Sequence, residues 1–359
     1  MNKRIMFFIG SLSWGGAEKI ITVLANQYLE NGYEVTIVTL LSNKNVFDLD
    51  KRINLISIAR ENKKNIFNVY YWIKNIRKLV EQSKPDVVVS FVCRINVLVI
   101  KALMRCKHKC RLVISERNDP RFDTRGFLGR FFSKRLYPHA DLLICQTSAE
   151  KEWFNKKIQS KTVVVPNPIF LTSMPIKFEA KKNIIINAAR FDESKNQKML
   201  IDAYHNLVVC KKDNGYKLHL YGNGILKEQL IDQISRLGIK DKVYIFDSVA
   251  DIQDKISEAS VFCLTSKYEG MSNALMEALL LGTPSISTDT SGARDLIEDE
   301  KNGFVVDVND LNTLTKKLEL LINSDDIRKN MYEYCLSEKY QTKFAISLKK
   351  YIEYIDGKQ

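Results

Sequence analysis

Short apolar runs alternate with amphipathic stretches along the whole chain. In the first half, buried strands are predicted at Ile5–Ile9, Val35–Leu40, Val87–Phe91, Leu112–Ser115 and Leu142–Cys145. Helix-length segments such as Ala17–Glu30 and Ile66–Gln82 lie between these runs. Continuous apolar strands separated by helices indicate a parallel sheet that is covered on both faces.

The same rhythm starts again in the second half. Its predicted strands are Asn183–Ala189, Lys217–Tyr221, Val243–Phe246, Val261–Leu264, Pro284–Ser287 and Gly303–Val306. Pro166, Pro168 and Pro175 interrupt regular structure between the halves, which places a hinge near residues 168–180. We therefore expect an α/β protein with two Rossmann-like, doubly wound parallel-sheet domains, at residues 1–170 and 176–335. A helix in 336–359 is expected to pack back on the first domain.

The order of the elements also predicts where function lies. Two such domains whose strand ends face each other form a cleft lined by the loops that follow the strands. Fold class by itself does not specify the chemistry in that cleft, because these architectures carry many activities.

Composition and charge limit the possible partners. The chain has 359 residues, of which 45% are hydrophobic, and a formal net charge of +13. Residues 1–175 carry 29 Lys and Arg against 14 Asp and Glu, whereas residues 176–359 carry 26 against 28. No helix-turn-helix, RNP or zinc motif accompanies the excess, so we expect no nucleic-acid partner. An anionic membrane surface is the expected partner of the basic N-terminal half.

The sequence predicts a cytoplasmic protein associated peripherally with the inner face of the cell membrane. No apolar stretch approaches the roughly 18–20 residues that span a bilayer. The apolar run Ile5–Ile9 leads into Gly10 without a cleavage site, which favours a first strand over a signal peptide. The seven scattered cysteines are typical of reduced, buried thiols.

Neither candidate metal motif is convincing. Cys106-Lys-His108-Lys-Cys110 lacks a second Cys or His pair to close a zinc site. Asp48-Leu-Asp50 does not follow an apolar strand and is interpreted as a loop. We expect no metal and no cofactor.

Several loops after predicted strands are suited to a phosphorylated ligand. Gly15 and Gly16 directly precede a helix, where free backbone N–H groups and the helix dipole attract an anion; a tight turn explains the pair equally well. In the second half, Arg190 and Lys195 follow a strand and suit a diphosphate. The next strand ends in a turn that contains Gly222 and Gly224, two residues that tolerate tight backbone geometry.

The most informative stretch runs from Ser266 to Pro284. Glu269 falls just after a buried strand, and Ser272 or Asn273 caps the helix that follows. Glu277 lies one turn into that helix among Ala and Leu residues. A buried carboxylate there requires a hydrogen-bonded partner, such as the paired hydroxyls of a ribose; a salt bridge or a solvent-facing position is the alternative.

These residues resemble the retaining family 4 glycosyltransferases of the GT-B fold. The resemblance rests on Gly15-Gly16-Ala-Glu18, on Arg190 with Lys195, and on Glu269 followed by Glu277, and it spans both halves. The finer pattern is similar to bacterial enzymes of capsule, exopolysaccharide and lipid-linked glycan assembly, including amylovoran-type and N-glycan-precursor GalNAc transferases. Its segments are Ile114–Pro120, Val165–Ile169, Glu269–Glu277 and Ser291–Ile297.

The resemblance implies a role for each matching residue. Arg190 and Lys195 would hold and neutralise the leaving nucleotide diphosphate, and Glu269 would stabilise positive charge near the anomeric carbon. Glu277 would bind the ribose hydroxyls. The remaining implied ligand contacts come from Gly15, Gly16, Gly222, Gly224, Gly270, Met271, Ser272 and Asn273.

Two positions depart from the family pattern. Many relatives carry a histidine where this chain reads Glu116-Arg117-Asn118, and Arg117 is the candidate to take over a substrate-facing role. The Phe-x-Gly common at the end of the eighth strand reads Phe246-Asp247-Ser248.

The expected reaction is the transfer, with retention, of a hexose or N-acetylhexosamine from a UDP-sugar to a glycan on a polyprenyl diphosphate. A UDP-sugar 2-epimerase of similar architecture, or a transferase with a soluble acceptor, is the alternative. Arginine and phenylalanine interleave over Arg117–Arg135, as in a helix at a bilayer surface. A helix whose Phe face packs within the first domain fits that pattern equally well.

Overall fold

The chain folds into two compact units. A computed structural model describes residues 3–13, 15–60, 65–117, 119–121 and 126–358, and for residues 65–67 and 126–128 it describes the backbone alone. The N-terminal unit comprises Met1–Pro168 and Ile346–Gln359, and the C-terminal unit comprises Ile169–Ala345. The chain therefore passes between the units after Pro168 and again after Ala345.

The N-terminal unit is built on a parallel sheet with strand order β3-β2-β1-β4-β5-β6-β7. Its strands are β1 (Arg4–Ile9), β2 (Glu34–Thr39), β3 (Asn54–Ser57), β4 (Val87–Phe91), β5 (Arg111–Ser115), β6 (Leu142–Cys145) and β7 (Thr162–Val164). Its first helices are α1 (Gly16–Glu30), α2 (Asn65–Ser83), α3 (Cys93–Leu103), α4 (Gly126–Leu136), α5 (Ser148–Trp153) and α6 (Lys156–Gln159).

The C-terminal unit has a second parallel sheet, in the order β10-β9-β8-β11-β12-β13. Its strands are β8 (Lys182–Ala188), β9 (Lys217–Tyr221), β10 (Val243–Phe246), β11 (Ala259–Leu264), β12 (Ser285–Thr288) and β13 (Gly303–Val306). Its helices are α7 (Gln197–Val209), α8 (Lys227–Arg236), α9 (Ile252–Glu258), α10 (Asn273–Leu280), α11 (Ala293–Leu296), α12 (Leu311–Asn323), α13 (Asp325–Leu336) and α14 (Glu338–Ala345).

The last helix, α15 (Ser347–Asp356), belongs to the N-terminal unit. Arg111 Nε and Nη2 donate to the carbonyl oxygens of Ile355 and Tyr354, at 3.0 and 3.1 Å. Tyr33 donates to Asp356 Oδ1 at 3.0 Å. These bonds and the buried ring of Tyr351 attach the helix to the sheet.

Each sheet is buried on both faces, as the uninterrupted apolar strands predict. Side chains alternate across a strand, so Phe7 and Phe8 enter different cores. Phe7 packs with side chains of α1 and α15, and Phe8 with those of α2 and α3. In the C-terminal sheet, Ile185 and Ile186 of β8 divide in the same way.

The order of the strands fixes where ligand-binding loops lie. In each sheet the direction of winding reverses beside the first strand, between β1 and β4 and between β8 and β11. The loops that follow these strands diverge there and leave a crevice at the carboxyl edge of the sheet. The doubly wound α/β class predicted for both halves is confirmed.

Candidate active site

The candidate site of the C-terminal unit is formed by loops that follow adjacent strands. The segment after β8 carries Arg190 and Lys195, and the segment after β11 carries Glu269. The structure brings these two segments together, and Lys195 Nζ donates to Glu269 Oε1. The side chains of Lys195 and Glu269 are 18% and 10% exposed, so the ion pair is largely shielded from water.

Arg190 differs from Lys195 in being open to solvent. Its guanidinium group is 76% exposed and lies 3.4 Å from Asp192 Oδ2. Its backbone carbonyl accepts a hydrogen bond from Gln197 Nε2 at 2.9 Å, which fixes the main chain beneath the exposed side chain. An exposed guanidinium on a fixed backbone can turn toward an anion at the loss of only its surface contact with Asp192.

Helix α10 carries the second glutamate. Ser272 caps the helix, because its Oγ accepts from the N–H of Leu275 at 3.4 Å. Glu277 lies one turn further on and is only 6% exposed, as expected for a carboxylate surrounded by apolar residues. Asn273 is the first residue of the helix, and Gly270 and Met271 precede its cap.

The glycines of this unit allow loops to approach closely. A Cβ at Gly222 would collide with the carbonyl oxygen of Ala189, and one at Gly224 would collide with the carbonyl oxygen of Phe191. The loop after β9 therefore lies directly on the loop that carries Arg190. Gly292 plays a similar part, since a Cβ there would lie 2.6 Å from the carbonyl oxygen of Gly270.

The N-terminal unit holds the remaining predicted site residues. Gly15 and Gly16 are exposed at the start of α1, and Gly15, at the N-cap position, has no side chain that could cap the helix. The carboxylate of Glu18 lies against Gly15, where an added Cβ would collide with it. Lys19 N donates to the carbonyl oxygen of Gly15 at 3.1 Å. The amino-terminal turn of α1 is therefore accessible at the carboxyl edge of the sheet.

Arg117 lies in the interior of this unit. Its Nη1 donates to Asn167 Oδ1 at 2.7 Å, and its guanidinium carbon lies 4.2 Å from the ring centre of Phe91 and 5.4 Å from that of Tyr351. Burial lowers the pKa of Arg117, and contact with Tyr351 opposes that effect. The substrate-facing role suggested for Arg117 stays a prediction.

Two buried carboxylates, Glu116 and Glu150, lie in the same part of the interior, and Glu150 interacts electrostatically with Arg117. Tyr137 donates to Glu116 Oε1, and Gln146 N donates to Glu150 Oε2 at 2.8 Å. Burial raises the pKa of Glu150 to about 8; the backbone bond from Gln146 opposes this, and the nearby Glu116 charge adds to it. Sequence inspection gave Glu150 no role, since a Glu in the first turn of a helix is an ordinary surface residue.

Sequence inspection also missed two hydroxyl residues beside the ion pair. Ser266 Oγ donates to Glu269 Oε1 at 2.9 Å, and Thr265 Oγ1 lies 3.1 Å from the carbonyl oxygen of Lys195. Both residues are fully buried. Their position just after a buried strand was the available signal.

Two further observations concern the predicted absence of a metal and of a membrane span. Within the described ranges, no group of three or more His, Cys, Asp and Glu side chains is arranged to hold a metal ion. None of the helices in that part of the chain is both long enough and apolar enough to cross a bilayer.

Two doubly wound units with phosphate-suited loops define a GT-B type transferase. Residues 14–172 match the family described as Glycosyltransferase Family 4, and residues 172–336 match Glycosyl transferases group 1. The chain is therefore a glycosyltransferase of group 1 with a family 4 N-terminal half, and it is a hexosyltransferase, which confirms the resemblance seen in the sequence. Neither matched family describes an epimerase.

Known proteins resemble the chain over nearly its whole length. A Campylobacter jejuni enzyme, GalNAc-alpha-(1->4)-GalNAc-alpha-(1->3)-diNAcBac-PP-undecaprenol alpha-1,4-N-acetyl-D-galactosaminyltransferase, is 29% identical over 91% of both chains. The amylovoran biosynthesis glycosyltransferase AmsD of Erwinia amylovora is 24% identical over 92% of this chain and 93% of its own. The crystal structure of Anabaena HepE with UDP and glucose has a TM-score of 0.79 at 18% identity, covering 99% of each chain.

Proposed function

We propose that the enzyme transfers a hexose or N-acetylhexosamine, with retention of configuration, from a UDP-sugar to a glycan on a polyprenyl diphosphate. The observation that carries the proposal is the Lys195–Glu269 ion pair, with the exposed Arg190 on the same loop as Lys195. This arrangement places positive charge for a leaving diphosphate next to a carboxylate for a developing oxocarbenium ion. The acceptor class is proposed by analogy with the Campylobacter jejuni relative, whose name includes a PP-undecaprenol-linked glycan.

The donor end of the reaction uses residues of the C-terminal unit. Arg190 and Lys195 bind the diphosphate, with backbone N–H groups of Gly270, Met271 and Ser272 at the start of α10. Glu277 binds the ribose hydroxyls, and Gly222 and Gly224 admit the nucleoside. Gly15 and Gly16 of the N-terminal unit stay predicted phosphate contacts through their backbone N–H groups.

Retention follows from attack on the face that the diphosphate leaves. The bond between the anomeric carbon and the phosphate oxygen breaks, and a bond to the acceptor hydroxyl oxygen forms on the same side. The acceptor proton passes to the leaving phosphate oxygen. Glu269 stabilises the positive charge that develops at the anomeric carbon, while Lys195 and Arg190 stabilise the diphosphate.

A groove of the N-terminal unit supports a lipid acceptor and attachment to a membrane. It has a volume of about 1440 Å³ and is lined by residues of α2, α3 and α4. The apolar part of the lining includes Trp72, Ile73, Leu98, Met104, Phe131 and Phe132. Phe131 and Phe132 are 53% and 45% exposed, although they are large apolar residues.

Cations line the same groove. They are Arg94, Lys101, Lys134, Arg135 and Lys157, and none of the described residues that line the groove is acidic. An apolar floor with a basic rim matches an isoprenoid chain that carries a diphosphate head, and it also matches an anionic lipid surface. Of the basic aromatic segment Arg117–Arg135, residues 118 and 122–125 lie outside the described ranges.

The reaction is tested by supplying UDP- and GDP-sugars with an undecaprenyl-diphosphate-linked glycan, and measuring nucleotide release and product mass. We expect UDP release that depends on the acceptor and a product one sugar heavier with an α linkage. Conversion of the UDP-sugar without any acceptor would indicate an epimerase instead. A soluble oligosaccharide acceptor that performs as well as the lipid-linked one would contradict the acceptor assignment.

Attachment to the membrane is tested separately by sedimentation with vesicles that contain anionic lipid. A Lys134→Glu/Arg135→Glu variant should lose most of its binding, because both cations lie at the groove. The matched control, Lys349→Glu/Lys350→Glu, reverses two neighbouring exposed cations on α15 and should bind as the native protein does. If both variants lost vesicle binding equally, general charge attraction would explain the binding, and the groove would not be a specific membrane-binding face.

A further inference from the structure

The two residues directly after β11 connect both partners of the ion pair to the rest of the C-terminal unit. Thr265 and Ser266 are fully buried, and each has a hydroxyl group that contacts a different loop. They directly follow β11, a strand with neighbours on both sides, and residues held by a strand are positioned more precisely than residues of a free loop. Neither residue belongs to the set implied by the family resemblance.

Ser266 is fixed from one side and holds Glu269 on the other. Its carbonyl oxygen accepts from Thr288 Oγ1, at the end of the neighbouring strand β12, at 2.6 Å. Its own Oγ donates to Glu269 Oε1 at 2.9 Å. The same carboxylate oxygen accepts from Lys195 Nζ, so Ser266 and Lys195 approach it together.

Thr265 fixes the loop that carries Lys195. Its Oγ1 lies 3.1 Å from the carbonyl oxygen of Lys195 and 3.0 Å from that of Asn196. The next backbone bond, from Lys267 N to the carbonyl oxygen of Ser194, is 2.7 Å long. The loop after β8 is thus attached to the loop after β11 by side chain and main chain.

In the proposed reaction, two anionic groups compete for the ammonium group of Lys195: the Glu269 carboxylate and the donor diphosphate. When the donor binds, its ammonium group is drawn toward the diphosphate, which carries more charge than one carboxylate. Glu269 then depends on its other contacts for its orientation. Ser266 offers a neutral hydrogen bond that the diphosphate does not compete for.

We propose that Ser266 is a positioning residue, which keeps the Glu269 carboxylate aimed at the sugar while Lys195 binds the diphosphate. The inference rests on the role of Glu269 in the proposed function. It assigns Ser266 no contact with substrate. Its effect on turnover passes through Glu269 alone.

The first test is Ser266→Ala. A hydrogen bond to a charged group has the strength to change a rate about 10- to 100-fold, so kcat should fall by roughly that factor. The KM for the UDP-sugar and the affinity for UDP should stay within about twofold. Loss of UDP affinity together with turnover would show a folding role and would overturn the proposal.

A double-mutant cycle with Glu269→Ala shows whether Ser266 acts through the carboxylate. In the Glu269→Ala background, adding Ser266→Ala should lower kcat by less than about twofold. Fully additive losses, or native turnover in the single Ser266→Ala variant, would contradict the inference. Near-native turnover in Glu269→Ala alone would instead contradict the proposed function, so the two failures are distinct.

Ser285→Ala is the matched control. Ser285 is also fully buried, and its hydroxyl donates to the carbonyl oxygen of Thr283 at 2.9 Å, away from Glu269. Its removal should lower the melting temperature about as much as Ser266→Ala does, with kcat unchanged. A kcat loss equal to that of Ser266→Ala would show that any buried serine in this sheet matters, and would overturn the inference.

Discussion

Lys195 donates a hydrogen bond to Glu269 across 74 residues of sequence. The pair joins two loops that follow neighbouring strands of one sheet, and it is shielded from water on most sides. Opposite charges in such a place attract more strongly than at the surface. A donor diphosphate that binds Lys195 must therefore interact with the ammonium group more favourably than the Glu269 carboxylate does.

Removing the ammonium group should reduce catalysis strongly. We expect Lys195→Met to lower kcat/KM about 100-fold or more, because the leaving diphosphate loses a cation placed beside it. Lys198→Met is the control, since Lys198 lies on the exposed side of α7 and pairs with Glu193 at 3.7 Å. Steady-state assays with saturating acceptor measure both variants, and near-native turnover of Lys195→Met would contradict the role of Lys195.

Glu277 should affect binding of the nucleotide more than the chemical step. Glu277→Gln is expected to weaken UDP binding roughly tenfold, as one hydrogen bond to a charged group is weakened. The native enzyme should bind 2′,3′-dideoxy-UDP roughly tenfold more weakly than UDP. The variant should bind this analogue and UDP with nearly equal affinity. Calorimetry measures these affinities, with Glu319→Gln on the distant helix α12 as control. If the variant lost as much affinity on removal of the ribose hydroxyls as the native enzyme does, Glu277 would not contact the ribose.

A side chain at Gly222 should disturb the loop after β9, which we propose admits the nucleoside. The added Cβ of Gly222→Ala meets the backbone oxygen of Ala189, which cannot rotate away as a side chain does. We expect a loss of roughly 2–4 kcal/mol in the free energy of unfolding and reduced UDP affinity. Gly238→Ala is the comparison, because the new Cβ meets no atom within 4 Å and only the left-handed backbone opposes it, at a cost of about 1 kcal/mol. Equal losses in the two variants would rule out the contact with Ala189 as the cause.

Glu150 should make stability depend on pH. Its folded pKa of about 8 lies above the unfolded value of 4.5, so the folded state binds the proton more tightly. The stabilisation is complete below pH 4.5 and is lost as the pH rises through 8. Between pH 5 and 7 the free energy of unfolding should fall by up to ~2 kcal/mol from this group alone.

Chemical denaturation at pH 5, 6 and 7 measures this slope. Glu150→Gln should flatten it, whereas Glu152→Gln, which removes an exposed carboxylate of the same helix, should not. The range stops at 7 because Lys181, whose pKa burial lowers to about 7, begins to contribute the opposite trend above that pH. An unchanged slope in Glu150→Gln would contradict the assignment.

Hydrophobic patterning predicted most of the fold. Every strand proposed from an apolar run exists, and the restart of the rhythm after the prolines marks the second unit. Strands β3 and β7 were missed. The first has mostly exposed residues at the sheet edge, and the second has only 3 residues, so neither produces an apolar run.

The sequence also predicted which loops carry charged groups, because residues after a strand must lie at the carboxyl edge of a parallel sheet. It placed Arg190, Lys195 and Glu269 there correctly. It did not predict the direction of Arg117, which follows β5 in the same way but enters the interior and meets Tyr351 of the returning helix α15. Local pattern contains no information on a partner that lies more than two hundred residues away.

The sequence alone therefore determined the type of each main element and the strand ends, and it supplied the candidate residues for a phosphorylated ligand, since these depend on local periodicity and on side-chain chemistry. Only the tertiary structure decided which loops meet. Strand order places β8 beside β11, and the hydroxyl group of Thr265 then reaches the carbonyl oxygens of Lys195 and Asn196, 70 and 69 residues away in the sequence. Hydrogen bonds depend on distance and angle, and those are fixed only when the sheet has formed.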